Sequence, residues 1–169
     1  HAAPEGSGAM SAVLGMDAEV IEDVLNGREG VSIANYNCPG QIVITGEAAA
    51  VAEAGTALKE AGARRVLPLK VSGPFHSPMM RPAGEELAKV FAGVSMNPLK
   101  IPYVANINAE VITDCGRIEG LLVEQVSGSV RWQQSVETMI REGVDTFVEI
   151  GPGKTLTGFL RKIDKNVKA

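Results

Sequence analysis

His76 is the only histidine inside this chain of 169 residues, the other being residue 1. It sits in Val71-Ser72-Gly73-Pro74-Phe75-His76-Ser77-Pro78. Imidazole has an ordinary pKa of about 6.5, so it takes and returns a proton near neutral pH without special tuning, which makes His76 the natural candidate for a general base. Such a base serves a nucleophile, and the chain holds no Gly-x-Ser-x-Gly elbow to supply one. Ser77 does not fill that role, because the side chains of adjacent residues rarely turn into a common hydrogen bond. Taken alone, His76 also reads as a histidine satisfied by neighbouring backbone. Its place after a strand and a Gly-Pro turn favours function, since α/β proteins set chemistry beside strand ends.

Other segments invite chemical readings of their own. Glu149-Ile150-Gly151-Pro152-Gly153-Lys154-Thr155 ends in Gly-Lys-Thr, but a phosphate-binding loop needs glycine where Val148 stands. A tight strand-to-helix turn accounts for the glycines, and the amides at the helix start stay available to an anion. Tyr36-Asn37-Cys38-Pro39-Gly40-Gln41 offers amides to a carboxylate or polar substrate, yet Pro-Gly is also what a hairpin turn requires. Arg64 and Arg65, with Lys70, Arg161, Lys162, Lys165 and Lys168, either gather into a basic surface or lie on a solvated face.

The elements that position these residues follow from periodicity. Residues 9–14 read as a strand closed by Gly15, and Asp17 caps a helix whose Val20, Ile21, Val24 and Leu25 share an apolar face up to Gly27. Strands over 31–36 and 41–45 flank the Pro-Gly turn as a hairpin. A helix over about 47–61 stops at Gly62, and residues 65–71 extend as a strand. The order β-α-β-β-α-β is that of a ferredoxin-like split βαβ unit, here residues 8–71. Such a unit hosts enzymes, sensors and binding modules alike. Over 72–169 the pattern becomes α/β: a helix through Leu87, Val90 and Phe91, an extended stretch 101–106, and helices at about 117–127 and 132–142. A buried strand 146–150 and a final helix with Leu156, Phe159 and Leu160 close it.

Composition narrows the classes. Apolar residues make up 45% and charged residues 21%, enough for a globular core, and no apolar run approaches the roughly 20 residues that span a bilayer. A net charge of −4 argues against general nucleic-acid affinity. Cys38 and Cys115 belong to no Cys-x-x-Cys pattern, so neither zinc nor redox chemistry is indicated and a reducing, cytoplasmic setting is expected. The first residues lack the basic and apolar regions of a secretory signal.

Three spaced motifs then converge. Ala34-Asn35-Tyr36-Asn37-Cys38-Pro39-Gly40-Gln41-Ile42-Val43-Ile44-Thr45-Gly46, Gly73-Pro74-Phe75-His76-Ser77 and Glu149-Ile150-Gly151-Pro152-Gly153-Lys154-Thr155-Leu156 resemble, in that order, the malonyl-CoA:acyl carrier protein transacylases. The resemblance extends over nearly all of the chain. It implies an α/β fold in which a ferredoxin-like subdomain is inserted into an α/β-hydrolase-like acyltransferase subdomain, the latter represented here by its C-terminal part. The activity it implies is transfer of malonyl from coenzyme A to acyl carrier protein through a serine ester in fatty acid biosynthesis, with no metal or redox cofactor.

By the same resemblance His76 is the base and Gln125 supplies the backbone carbonyl that orients it. Phe75 matches the malonyl-selective form of its motif, since forms accepting methylmalonyl carry a smaller residue there. Asn35 and Asn37 match a polar, substrate-lining segment, and Arg64 and Arg65 are placed to dock an acidic carrier protein. Cys38 stands where the family commonly has serine. The family's serine elbow, oxyanion amide, malonate-binding arginine and an upstream glutamine precede the start of this chain, so the chain alone is expected to be inactive. Exposed apolar faces at 147–150 and on the helix bearing Trp132 are expected to call for a complementing N-terminal fragment or self-association. An acyltransferase domain of a polyketide or fatty-acid megasynthase and a non-catalytic carrier-protein-binding fragment are the other readings. A ferredoxin-like sensor leaves the later motifs unexplained.

Overall fold

The computed structural model describes residues 6–71 and 73–169. His1 and its neighbours, and Ser72 at the expected boundary, lie outside the described residues. Four strands, β1 (Gly8–Leu14), β2 (Val31–Cys38), β3 (Gln41–Glu47) and β4 (Arg65–Pro68), form an antiparallel sheet in the order β2-β3-β1-β4. Helix α1 (Ala18–Leu25) joins β1 to β2, and α2 (Ala48–Glu60) joins β3 to β4.

Alternation along the strands explains the layering, because successive side chains point to opposite faces. Val13, Ile33, Ile42 and Ile44 turn to one side and pack with Ile21, Leu25, Val51, Ala54 and Leu58 of the two helices. Met10, Ala12, Ala34 and Val43 form a second, smaller cluster. The hairpin turns on Pro39-Gly40, with Gly40 at φ 71, and the Gly40 carbonyl accepts a 2.8 Å bond from Gly15 N–H. Asp17 occupies the N-cap of α1 with extended backbone, although its side chain makes no capping bond.

After β4 come α3 (Arg81–Phe91), a two-stranded ribbon of β5 (Tyr103–Val104) and β6 (Val111–Ile112), and helices α4 (Ile118–Ser127), α5 (Trp132–Arg141) and α6 (Thr155–Ile163). Helix α3 packs on α4, where buried Gly84 faces the Val123 carbonyl, and α5 and α6 pack against β2. Among the described residues no helix is long and apolar enough to cross a membrane.

Three expectations need correction. The strand expected over 65–71 ends at Pro68: Leu69 N–H still donates to the Met10 carbonyl of β1 at 2.9 Å, but the chain then turns away, Val71 N–H donating to the Leu69 carbonyl at 3.0 Å. The extended stretch 101–106 is a short ribbon arm. Residues 146–150 do not form a buried strand: Thr146 makes one isolated bridge to Lys168, and Val148 and Ile150 are 79% and 94% exposed. A continuous apolar run becomes a buried strand only beside neighbouring strands, and among the described residues none flanks this one. Trp132, by contrast, is half-buried rather than laid bare.

Gly46 sets the register at the open end of the hairpin. At φ 147 it lies in the region that favours glycine, and an added Cβ would run into the Gly30 carbonyl, which accepts the Glu47 N–H at 2.8 Å. Gly46→Ala is therefore expected to cost roughly 2–4 kcal/mol in urea unfolding, through backbone strain and overpacking together. A loss below about 0.5 kcal/mol, the range of neutral surface changes, would contradict this close approach.

Candidate active site

The loop between β4 and α3 carries His76, and its shape is fixed from both sides. Pro74 is fully buried, and Gly8 at the start of β1 has no side chain because a Cβ there would run into the Pro74 ring. Ser77, also fully buried, donates its hydroxyl to the Pro74 carbonyl at 2.7 Å. That bond accounts for Ser77: it closes the turn and serves no nucleophilic role. His76, between them, has φ 58, a left-handed conformation uncommon for a residue with a Cβ.

The ring is half-buried, with Nδ1 3.1 Å from the Gln125 backbone oxygen. A carbonyl oxygen only accepts, so the contact requires Nδ1 to carry the proton and leaves Nε2 of the neutral ring as the acceptor. The carbonyl is available for a simple reason: Gln125 lies in the last turn of α4, where carbonyls lack partners within the helix. The partial negative charge of a helix C-terminus suits a ring that becomes cationic. Phe75, next to His76, is 40% exposed.

The other expected site residues are distributed differently. Asn35 is half-buried in β2 and bridged to Val130, five positions after Gln125. Asn37 is half-buried further along the same strand. The segment they occupy is strand as far as Cys38, with only Pro39-Gly40 left to turn. Cys38 is fully buried, and burial pushes its thiol upward, which suits an inert packing residue. Arg64 and Arg65 are exposed beside and within β4, at the opposite edge of the sheet from β2. Among the described residues neither is held in an ion pair.

Two contributors had not been singled out from sequence. Tyr36 donates its hydroxyl to Glu22 Oε1 at 2.7 Å, and the Arg131 guanidinium lies 5.4 Å from its ring centroid. Burial, then the Glu22 bond, pushes the Tyr36 hydroxyl up to about 12. Glu149 turns back on the start of α6 and accepts from Leu156 N–H at 3.1 Å and Thr157 N–H at 2.9 Å. The anion at that helix start is thus the chain's own carboxylate, a role the spacing of Glu149 ahead of the helix could have signalled.

The acyl transferase domain family matches residues 2–168. The chain belongs to that family. Malonyl CoA-acyl carrier protein transacylase of Bacillus subtilis (strain 168) is 46% identical over 172 residues, which cover 99% of this chain and 54% of the relative. The crystal structure of malonyl CoA-acyl carrier protein transacylase from Clostridium perfringens superposes with a TM-score of 0.95 at 43% identity, covering 99% of this chain and 54% of that one. A malonyl-transacylase solved in complex with its type II polyketide acyl carrier protein gives a TM-score of 0.92 at 41% identity, with 99% and 55% covered. The chain therefore spans about half the length of the curated relatives it matches.

Two outcomes follow from this geometry. Because residue 76 is left-handed, His76→Gly is expected to be more stable than His76→Ala by roughly 1 kcal/mol in urea unfolding; equal stabilities would contradict that backbone. The Glu149 carboxyl is held below its usual range, first by the Thr157 bonds, with burial opposing and the Leu156 and Thr155 amides adding to the lowering. A lowered folded-state value means that the cap is complete above the ordinary glutamate range and is lost as pH falls through the lower value. Leu156 and Thr157 amide resonances should titrate together in that acid window, and Glu149→Gln should abolish the titration.

Proposed function

We propose that this chain carries the general base of a transacylase that moves a malonyl group from malonyl-CoA to acyl carrier protein in fatty acid biosynthesis, in the cytoplasm. The observation that carries this reading is the His76 Nδ1 contact with the Gln125 carbonyl, which leaves Nε2 free to accept a proton. The serine that forms the ester lies in the part of the family's length that this chain does not span. His76 takes the serine proton as the serine oxygen attacks the thioester carbonyl, and returns it to the departing coenzyme A thiolate. In the second half it takes the proton of the carrier's pantetheine thiol, whose sulfur attacks the ester, and gives it back to the serine. The carbonyl at the end of α4 does the work that a carboxylate does in the commoner triads, orienting the ring and stabilising its transient charge.

The remaining residues take supporting roles. Phe75, beside the base, bounds the acyl pocket and favours malonyl over branched homologues, while Asn35 and Asn37 line the substrate path. Exposed Arg64 and Arg65 receive an acidic carrier protein, where complementary charge chiefly speeds encounter. The relative solved with its own carrier protein supports a carrier as partner. Residues 8–71 form a ferredoxin-like subdomain, a reading supported by the antiparallel order β2-β3-β1-β4 with both connecting helices in one core. Residues 72–169 belong to the hydrolase-like acyltransferase subdomain. Exposed Val148 and Ile150 are where a polypeptide carrying the family's preceding half would complete it.

Intact-mass measurement with malonyl-CoA tests the assignment. The chain alone should gain no malonyl mass. With a serine-bearing polypeptide spanning the family's preceding half, the adduct should appear on that polypeptide, and His76→Ala should slow its formation by about 100- to 10,000-fold, the usual contribution of a general base. Undiminished acylation by the His76→Ala pair would exclude His76 as the base.

A further inference from the structure

The Gln125 carbonyl is only as well placed as the end of α4 that carries it, and that end stands next to a glycine exit. Gly128 leaves the helix with extended backbone, at φ −106 and ψ 160. What stops the last turn from fraying is the following stretch, residues 129–131, laid along the outer edge of β2. Ser129 donates its hydroxyl to the Ile33 carbonyl at 2.6 Å, Val130 N–H donates to Ala34 at 2.7 Å, and Tyr36 N–H donates back to Val130 at 2.8 Å. Arg131 N–H adds a 2.8 Å bond to Asn106. The Gln125 side chain folds onto the same stretch, its Nε2 donating to Gly128 at 2.9 Å and, more weakly, to Ser129 at 3.4 Å.

The strand is shaped for this. The β2–β3 register shifts between Ile33 and Asn35, leaving Ala34 as an extra residue, and such a bulge re-aims the strand edge. The carbonyls of Ile33 and Ala34 are the acceptors used by the connector. Among these hydrogen bonds from the connector to β2, the one made by a side chain is that of Ser129, while the Arg131 guanidinium adds a cation–π contact with the Tyr36 ring.

We propose that Ser129 is a positioning residue for the His76 base: its hydroxyl pins the α4–α5 connector to the bulge of β2 and thereby fixes the Gln125 carbonyl that holds Nδ1–H. The inference rests on the base assignment above and extends it to a residue that touches neither substrate nor the histidine. Without the hydroxyl, the connector keeps its two backbone bonds to β2 but its first residue is untied, one step from Gly128. The last turn of α4 then samples positions in which the carbonyl no longer meets Nδ1, and the proton of the neutral ring redistributes toward Nε2.

Nitrogen-15 NMR of the imidazole reads this directly, because His1 is the chain's other histidine and the two are separable by His76→Ala. Neutral wild-type His76 should be mainly the Nδ1–H tautomer. In Ser129→Ala the ratio of Nδ1–H to Nε2–H should fall by about three- to tenfold, the effect of losing one hydrogen bond of ordinary net strength. The Val130 and Tyr36 amides should remain protected in that variant. Ser129→Thr, which keeps a hydroxyl, should restore the wild-type ratio. Ser129→Cys, close in size and only a weak donor, should lower the ratio too and serves where the alanine variant fails to fold. A wild-type ring found mainly as Nε2–H would defeat the base assignment itself. A wild-type Nδ1–H ring whose ratio is unchanged in the folded alanine or cysteine variant would overturn the role of Ser129 and leave the base assignment standing.

Discussion

A strand edge cannot be covered by other structure and left with unpaired amides and carbonyls, and in this chain the covered edge is that of β2. The stretch between α4 and α5 supplies the partners. Val130 exchanges two backbone bonds with Ala34 and Tyr36, and Ser129 takes the Ile33 carbonyl. Around that seam Tyr36 is clamped by Glu22 on one side and overlaid by Arg131 on the other. The seam fixes where α4 ends, and the end of α4 presents a carbonyl that needs a donor. His76 is that donor.

The histidine loop reaches the same place from the other side of the molecule. Its left-handed residue would drift if the turn were loose, and strain of this kind persists only where the surroundings over-determine it. Here the buried Pro74 ring fills the space Gly8 leaves, Ser77 locks the turn, and α3 leads away to pack on α4. The two partners of the His76–Gln125 contact therefore sit on elements packed against each other. A strained histidine facing an orphan helix carbonyl is an arrangement whose cost is repaid in orientation.

Much of the fold was legible because it depends on local rules. The alternation of Val13, Ile42 and Ile44, the face of Ile21 and Leu25, and the Pro39-Gly40 turn each dictate an element without reference to distant sequence. Residues 146–150 show the limit: their apolar run has the composition of a buried strand, but burial is conferred by neighbours. Of the β5–β6 ribbon only the first arm was legible, as the extended stretch 101–106, because its two-residue partner at 111–112 leaves no period to detect. Within the site, His76 announced itself by residue type, whereas a backbone carbonyl has no side-chain signature. The interest of Gln125 came from family resemblance, and its proximity to His76 from the structure. The seam was illegible for a related reason, since Val130 through its backbone and Ser129 through its hydroxyl meet backbone groups of a strand nearly a hundred residues away.

Native-state hydrogen exchange of the seam tests the account most directly. If the α4–α5 connector is an integral part of the sheet edge, the Val130 and Tyr36 amides will open only with the amides of central strand β3 and share their protection. If those two amides instead exchange at loop-like rates while β3 stays protected, the connector is merely resting on β2, and the placement of the His76 acceptor has some other origin.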